Sequence, residues 1–99
     1  LTCKVFESPP TCTEKFYKLG LEKSQKRDFK GAIEEFERSL SFNPLHAKTY
    51  HSRGRAYFNL RDYPRAIADY ETAIKINPNY YETYQFLGNV YANLSKYTE

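Results

Sequence analysis

The chain repeats itself with a period of 34 residues, and a period of that length implies a fold in which one small supersecondary unit is stacked on the next. With residues 13–46 set above 47–80, eight columns carry the same residue: Gly20/Gly54, Arg27/Arg61, Asp28/Asp62, Ala32/Ala66, Ile33/Ile67, Glu37/Glu71, Asn43/Asn77 and Pro44/Pro78. Other columns keep their chemistry. Phe16, Tyr50 and Tyr84 recur at the same interval, as do Phe29, Tyr63 and Tyr97, while Phe36 pairs with Tyr70 and Leu40 with Ile74. A further copy opens at Tyr81, passes through Tyr84, Gly88, Tyr91 and Tyr97, and stops at Glu99. The expected organisation is a leader over 1–12, whole units over 13–46 and 47–80, and the first helix of another over 81–99. Pro10 lies 34 residues before Pro44, and Val5 and Phe6 fall in register with Ser39 and Leu40, so the leader reads as the end of a degenerate earlier unit.

Within each unit the apolar spacing is helical. Phe16, Leu19, Gly20 and Lys23 match Tyr50, Arg53, Gly54 and Tyr57, then Tyr84, Leu87, Gly88 and Tyr91, and steps of three and four put each set on one face. A second amphipathic run follows, Ala32, Ile33, Phe36 and Leu40, repeated as Ala66, Ile67, Tyr70 and Ile74. Between the two, Asp28 and Asp62 are placed to cap the next helix, and Pro64 suits its first turn, where a missing N–H costs nothing. Asn43-Pro44 and Asn77-Pro78 end the second helices, because a residue before proline is pushed out of the α region. Each unit is therefore a helical hairpin. Gly20, Gly54 and Gly88 sit mid-helix, a choice that signals close backbone approach, with Ala32 and Ala66 as the expected facing partners. Glu34, Glu35 and Glu37 read as a solvated face, since Ile33 and Phe36 define the buried side.

These marks resemble the tetratricopeptide repeat family. The second unit, with Tyr50, Arg53, Gly54, Tyr57, Ala66, Tyr70, Ala73 and Pro78 in register, fits the family pattern closely, with Tyr50 where Trp is common and Arg53 where Leu is usual. The first departs more, at Lys23 and Ser39. The resemblance implies an all-α, right-handed solenoid of antiparallel helical hairpins, five helices in this chain, whose first helices line a concave groove that holds a segment of a partner protein. By the same register the groove takes Tyr17, Leu21, Ser24 and Gln25 from the first unit. The second gives Lys48, His51, Ser52, Arg55, Phe58 and Asn59, and the third gives Glu82, Gln85, Phe86, Asn89 and Asn93. Phe58 and Phe86 are read as apolar anchors, and the asparagines as groups that both donate to and accept from a peptide backbone. Members of the family that hold acidic chaperone tails use a clamp of Lys, Asn, Asn, Lys and Arg. The matching places here hold Tyr17, Leu21, Ser52, Glu82 and Phe86, so that clamp is not expected.

Charge leaves the partner open. Fifteen Lys and Arg against twelve Asp and Glu give +3, far from a polybasic nucleic-acid binder. Lys48, His51 and Arg55 form the expected cationic patch, in a unit with six basic and three acidic residues. Pentatricopeptide repeats, which read RNA, also stack helical hairpins, but a period of 34 with Gly, Ala and Asn-Pro marks favours protein binding, so no nucleic-acid partner is expected. Self-association is the alternative role: Tyr84, Leu87 and Tyr91 are expected to present an apolar stripe without a covering helix, which suits a second protomer.

Catalysis has little support. HExxH, GxSxG, P-loop, GxGxxG and CxxC motifs are all absent from the sequence. Cys3, Cys12, His46 and His51 are of zinc-ligand type, but the eight residues between the cysteines exceed the usual gap, and no metal or other cofactor is expected. Cys3 and Cys12 are compatible with a bridge and with two free thiols alike. No apolar run is long enough for a membrane span. Met is absent, so the chain is expected to be a piece of a longer protein, and the cytoplasm is the expected compartment.

Overall fold

The structure, a computed structural model, describes Cys3 and residues 8–98. Five helices were expected and five make up the described residues: α1 Pro9–Gln25, α2 Phe29–Phe42, α3 Ala47–Asn59, α4 Tyr63–Ile76 and α5 Tyr81–Thr98. Helix α1 starts inside the leader, because Ser8 caps it by accepting from the Thr11 N–H and proline fills the first turn. The register of Val5 and Phe6 lies outside the described residues. Cys12, buried in α1, is disulfide-bonded to Cys3, so the pair left open by the sequence is a bridge.

Each hairpin turns through the same Arg-Asp pair, Arg27-Asp28 and Arg61-Asp62. The N–H of Asp28 donates to the Lys23 carbonyl and that of Arg27 to the Ser24 carbonyl; Asp62 and Arg61 repeat this with Tyr57 and Phe58. Such paired bonds close a helix when the residue past its cap adopts a left-handed conformation, and Arg27 (φ 63°) and Arg61 (φ 62°) do so. The next residue then caps the following helix, Asp28 accepting from Gly31 N and Asp62 from Arg65 N. Between hairpins, Asn43 and Asn77 accept from the backbone N–H two residues on, and the Tyr50 and Tyr84 hydroxyls donate to the carbonyls of Pro44 and Pro78. The hydroxyl explains why tyrosine serves where tryptophan is common.

The helices pack in sequence order, α1 on α2, α2 on α3, α3 on α4 and α4 on α5, with slight contacts from α1 to α3 and α3 to α5. The result is a stack 54 × 28 × 17 Å in extent, an all-α solenoid. The glycines close the hairpins chiefly against rings, and the expected alanine partner is also met at Gly54, where the Ala66 backbone lies close. A Cβ on Gly20 would stand 2.3 Å from the Phe36 ring, and one on Gly54 2.8 Å from the Tyr70 ring and 3.3 Å from the Ala66 carbonyl. Phe36 and Tyr70 are fully buried by this contact. A Cβ on Gly88 would meet nothing within 4 Å.

One sequence expectation is overturned in the core. Glu35 is not on a solvated face: it is buried, bonded to Lys23 Nζ at 2.9 Å and to Arg38 at 2.7 Å. Burial opposes its charge, but the hydrogen bonds from Lys23 and Arg38 outweigh that and hold its carboxyl below the usual range. Asp69, one period later, is buried against both donors of the Arg53 fork at 2.8 Å. The departures at Lys23 and Arg53 are thus answered by an acid at one repeat position of the facing helix. The departure at Ser39 is answered too, since its hydroxyl donates to the Thr13 carbonyl and bonds the Thr49 hydroxyl, which also meets His46 Nδ1.

Candidate functional site

The first helices of the units, α1, α3 and α5, lie side by side in slight contact, and their ring contacts follow the repeat. In the two whole units the fifth position places a ring, Tyr17 in α1 and His51 in α3, whereas α5 has Gln85 there, and the two rings have mirrored surroundings. Tyr17 lies edge-on to His46 at 5.3 Å and tilted on Phe36, whereas His51 lies 4.9 Å from Tyr80 and tilted on Tyr70. Tyrosine and histidine have exchanged places between the units.

His51 is 3% exposed, so it belongs to the joint between α3 and α5 more than to an open surface. Its Nδ1 shares a hydrogen bond with the buried Thr83 hydroxyl at 2.9 Å, and the Phe86 ring stands at 5.1 Å. Its Nε2 is buried without a hydrogen-bond partner, 3.8 Å from Glu82 Oε1. Burial pushes the imidazole pKa down; Glu82 pulls it up and Arg55 pushes it further down, with the net shift downward. The ring is therefore neutral at pH 7, and the cationic patch expected of Lys48, His51 and Arg55 loses its middle member. Tyr70 is fully buried with an unpartnered hydroxyl whose pKa burial drives upward, and burial lifts that of Tyr80 to about 12.

Beside this joint, between α1 and α3, a cleft of about 410 Å³ opens. Leu21, Ser24, Gln25, Ser52, Arg55 and Asn59, all read from the sequence as inner-face residues, line it together with Ala56, Arg27 and Phe29. Arg27 and Phe29 escaped sequence reading because they lie in the turn and at the start of α2, and only the left-handed turn at Arg27 brings them to the end of α1. The remaining candidates are dispersed. Lys48, Gln85 and Asn89 are exposed, Asn93 spends an amide N–H on the Asn89 carbonyl, and Asn59 does the same with Arg55. Phe86 is half-buried and carries the Arg55 guanidinium over its ring at 4.8 Å. Phe58, expected as a groove anchor, instead packs on Tyr63 at 5.6 Å and on the core of Ala66, Tyr70 and Val90. The apolar stripe on α5 is also narrower than expected: Tyr84 and Tyr91 are about half exposed, but Leu87 packs on that same core.

Among the described residues there is no cluster of ligating side chains suited to a metal, and no helix is long and apolar enough to cross a membrane. Family comparison matches 47–80 and 16–44 to two models described as tetratricopeptide repeat. The search of curated proteins gave no match. Solved structures match well. A MamA crystal structure superposes with a TM-score of 0.81 at 28% identity over 84% of this chain, which spans about half of MamA (48%). The TPR2B domain of yeast Sti1, solved as a complex with pHsp70, gives 0.84 at 26% identity over 89% of this chain and 70% of that one. The first TPR of Spaghetti, solved with the HSP90 peptide SRMEEVD, gives 0.81 at 23% identity over 84% and 66%.

Proposed function

Because the chain belongs to the tetratricopeptide repeat family, we propose that it is a non-catalytic scaffold that recruits a segment of a partner protein into the cleft between α1 and α3. The carrying observation is that cleft: two successive inner helices and one hairpin turn converge on a volume able to take several side chains, with apolar walls at Leu21, Phe29 and Ala56 and donors at Ser24, Gln25, Ser52 and Asn59. The Sti1 domain, alike in fold and in 26% of aligned residues, was solved in complex with another protein, which supports a protein ligand over a nucleic acid. Tyr17, Leu21, Ser52, Glu82 and Phe86 stand where the carboxylate clamp would need cations and amides, so the mode of binding is not that clamp.

The test is to pan a displayed library of random short peptides on the immobilised protein and map a recovered peptide by amide chemical shifts. Shifts at Leu21, Ser24, Ser52, Arg55 and Asn59 are expected, with binding lost in Ser24→Trp, whose indole fills the cleft. Failure to recover any peptide, or shifts confined to α5, would overturn the reading. Self-association through α5 is the second reading, favoured by one observation: Tyr84 and Tyr91 are about half exposed around a Gly88 whose Cβ position touches nothing. Light scattering at high concentration distinguishes it, since a monomer there excludes it.

A further inference from the structure

The chain has six arginines, and they divide into two classes. Arg38, Arg53 and Arg65 are each in an ion pair, with Glu35, Asp69 and Asp62. Arg27, Arg55 and Arg61 have no ion pair among the described residues, and two of these three line the one cleft described above. Both are propped on aromatic faces. Arg55 stands over Phe86 at 4.8 Å and Arg27 over Phe29 at 5.3 Å, contacts that orient a guanidinium without neutralising it. No carboxylate lines the cleft, whose other polar residues are Ser24, Gln25, Ser52 and Asn59.

From this we infer that the cleft is a subsite for an acidic side chain, an Asp or Glu of the recruited segment, held by Arg27 and Arg55 next to an apolar residue seated on Leu21 and Ala56. The inference rests on the groove reading and gives it a chemistry. Charge complementarity selects the occupant: two unneutralised forks with hydroxyl and amide donors and no competing acid favour a planar carboxylate, which a guanidinium binds through paired parallel hydrogen bonds. The site differs from the cationic patch drawn from sequence. His51 is removed from it by burial and a depressed pKa, and Arg27 enters it from a turn. Phe29 and Phe86 act here as supports for cations, a role that helical periodicity cannot reveal.

The test uses the same displayed peptides, compared between the wild-type chain and Arg27→Asn, Arg55→Gln. Asparagine tolerates the left-handed conformation at residue 27, so the charge is removed with the turn retained. Recovered wild-type sequences should share an Asp or Glu beside an apolar residue. The affinity of a resynthesised peptide should fall about tenfold or more in the double variant, and equally when its acid is changed to the amide. Combining both changes should cost little beyond either one, because each removes the same contact. Circular dichroism and Ser24→Trp serve as controls. A peptide that binds in the cleft with unchanged affinity for the double variant would overturn the acidic subsite while leaving the groove intact, whereas loss of all peptide binding by the wild type would overturn the groove itself. A peptide with phosphoserine in place of its acid that binds more than about tenfold tighter would overturn a carboxylate as the occupant.

Discussion

Arg53 stands where leucine is usual, and the exchange looks destabilising until Asp69 is seen opposite it. The pair is bidentate at 2.8 Å with Asp69 only 5% exposed, so either partner alone would leave a charge poorly solvated and unmatched. Arg53→Leu, although it restores the usual residue, should lower stability by about 3 kcal/mol, while Arg53→Leu with Asp69→Leu should recover most of the loss. Urea unfolding followed by circular dichroism checks both; a single variant as stable as wild type would show that Asp69 needs no partner. Arg61 offers an opposite case. Its left-handed backbone (φ 62°) strains any residue with a Cβ, so Arg61→Gly should raise stability by about 0.5 kcal/mol after the extra freedom glycine gives the unfolded chain is subtracted. An unchanged or lower melting temperature would mean that the arginine stem compensates for the strain. Neither Arg61 nor Asp69 was legible as structure in the sequence: a charged residue on an amphipathic helix looks solvated, and the helix ends read from sequence were the Asn-Pro steps, which mark only the second helices.

At the scale of helices, one repeat position yields opposite outcomes. Alanine is favoured over glycine by about 1 kcal/mol inside a helix. At Gly88 nothing opposes that gain, so Gly88→Ala should stabilise the protein by up to about 1 kcal/mol. At Gly54 the added methyl meets the buried Tyr70 ring at 2.8 Å, and Gly54→Ala should destabilise by about 1–3 kcal/mol. Thermal melting of the two variants side by side decides the matter, and equal shifts would refute the packing account. The joint of α3 with α5 carries a pH dependence. Because the folded pKa of His51 is depressed, its contribution is complete above the ordinary imidazole value of 6.5 and is lost as pH falls from there through the folded value, since the unfolded chain takes up the proton first. Among the groups around it, Glu82 opposes this shift and Arg55 adds to it. His51→Phe should therefore lose less stability than wild type between neutral pH and about pH 5. Parallel slopes would assign the dependence to other groups. The helices themselves were legible, because periodicity, aspartate caps and Asn-Pro stops all act locally. Phe58 was not, because the step that turns it towards Tyr63 is set by how α4 lies on α3, which no local pattern records.

Taken whole, the molecule is a line of neighbours: α1 touches α2, α2 touches α3, and so on to α5, with slight contact beyond. Stability in such an array is a sum over adjacent pairs, so its two ends need not open together. Native-state hydrogen exchange should show distinct opening free energies for the α1–α2 and α3–α4 hairpins, and one shared value for both would contradict the sum. The cleft illustrates what a linear array leaves unreadable. Leu21, Ser24 and Gln25 were placed on the inner face by register alone, yet the charge that distinguishes the cleft comes from Arg27, a turn residue, together with Arg55. The same neighbour-to-neighbour order bears on birth. No described helix waits for a distant segment of chain, so α1 and α2 can close as a finished hairpin while α4 is still inside the ribosome, and each later helix that emerges meets a surface already built to receive it.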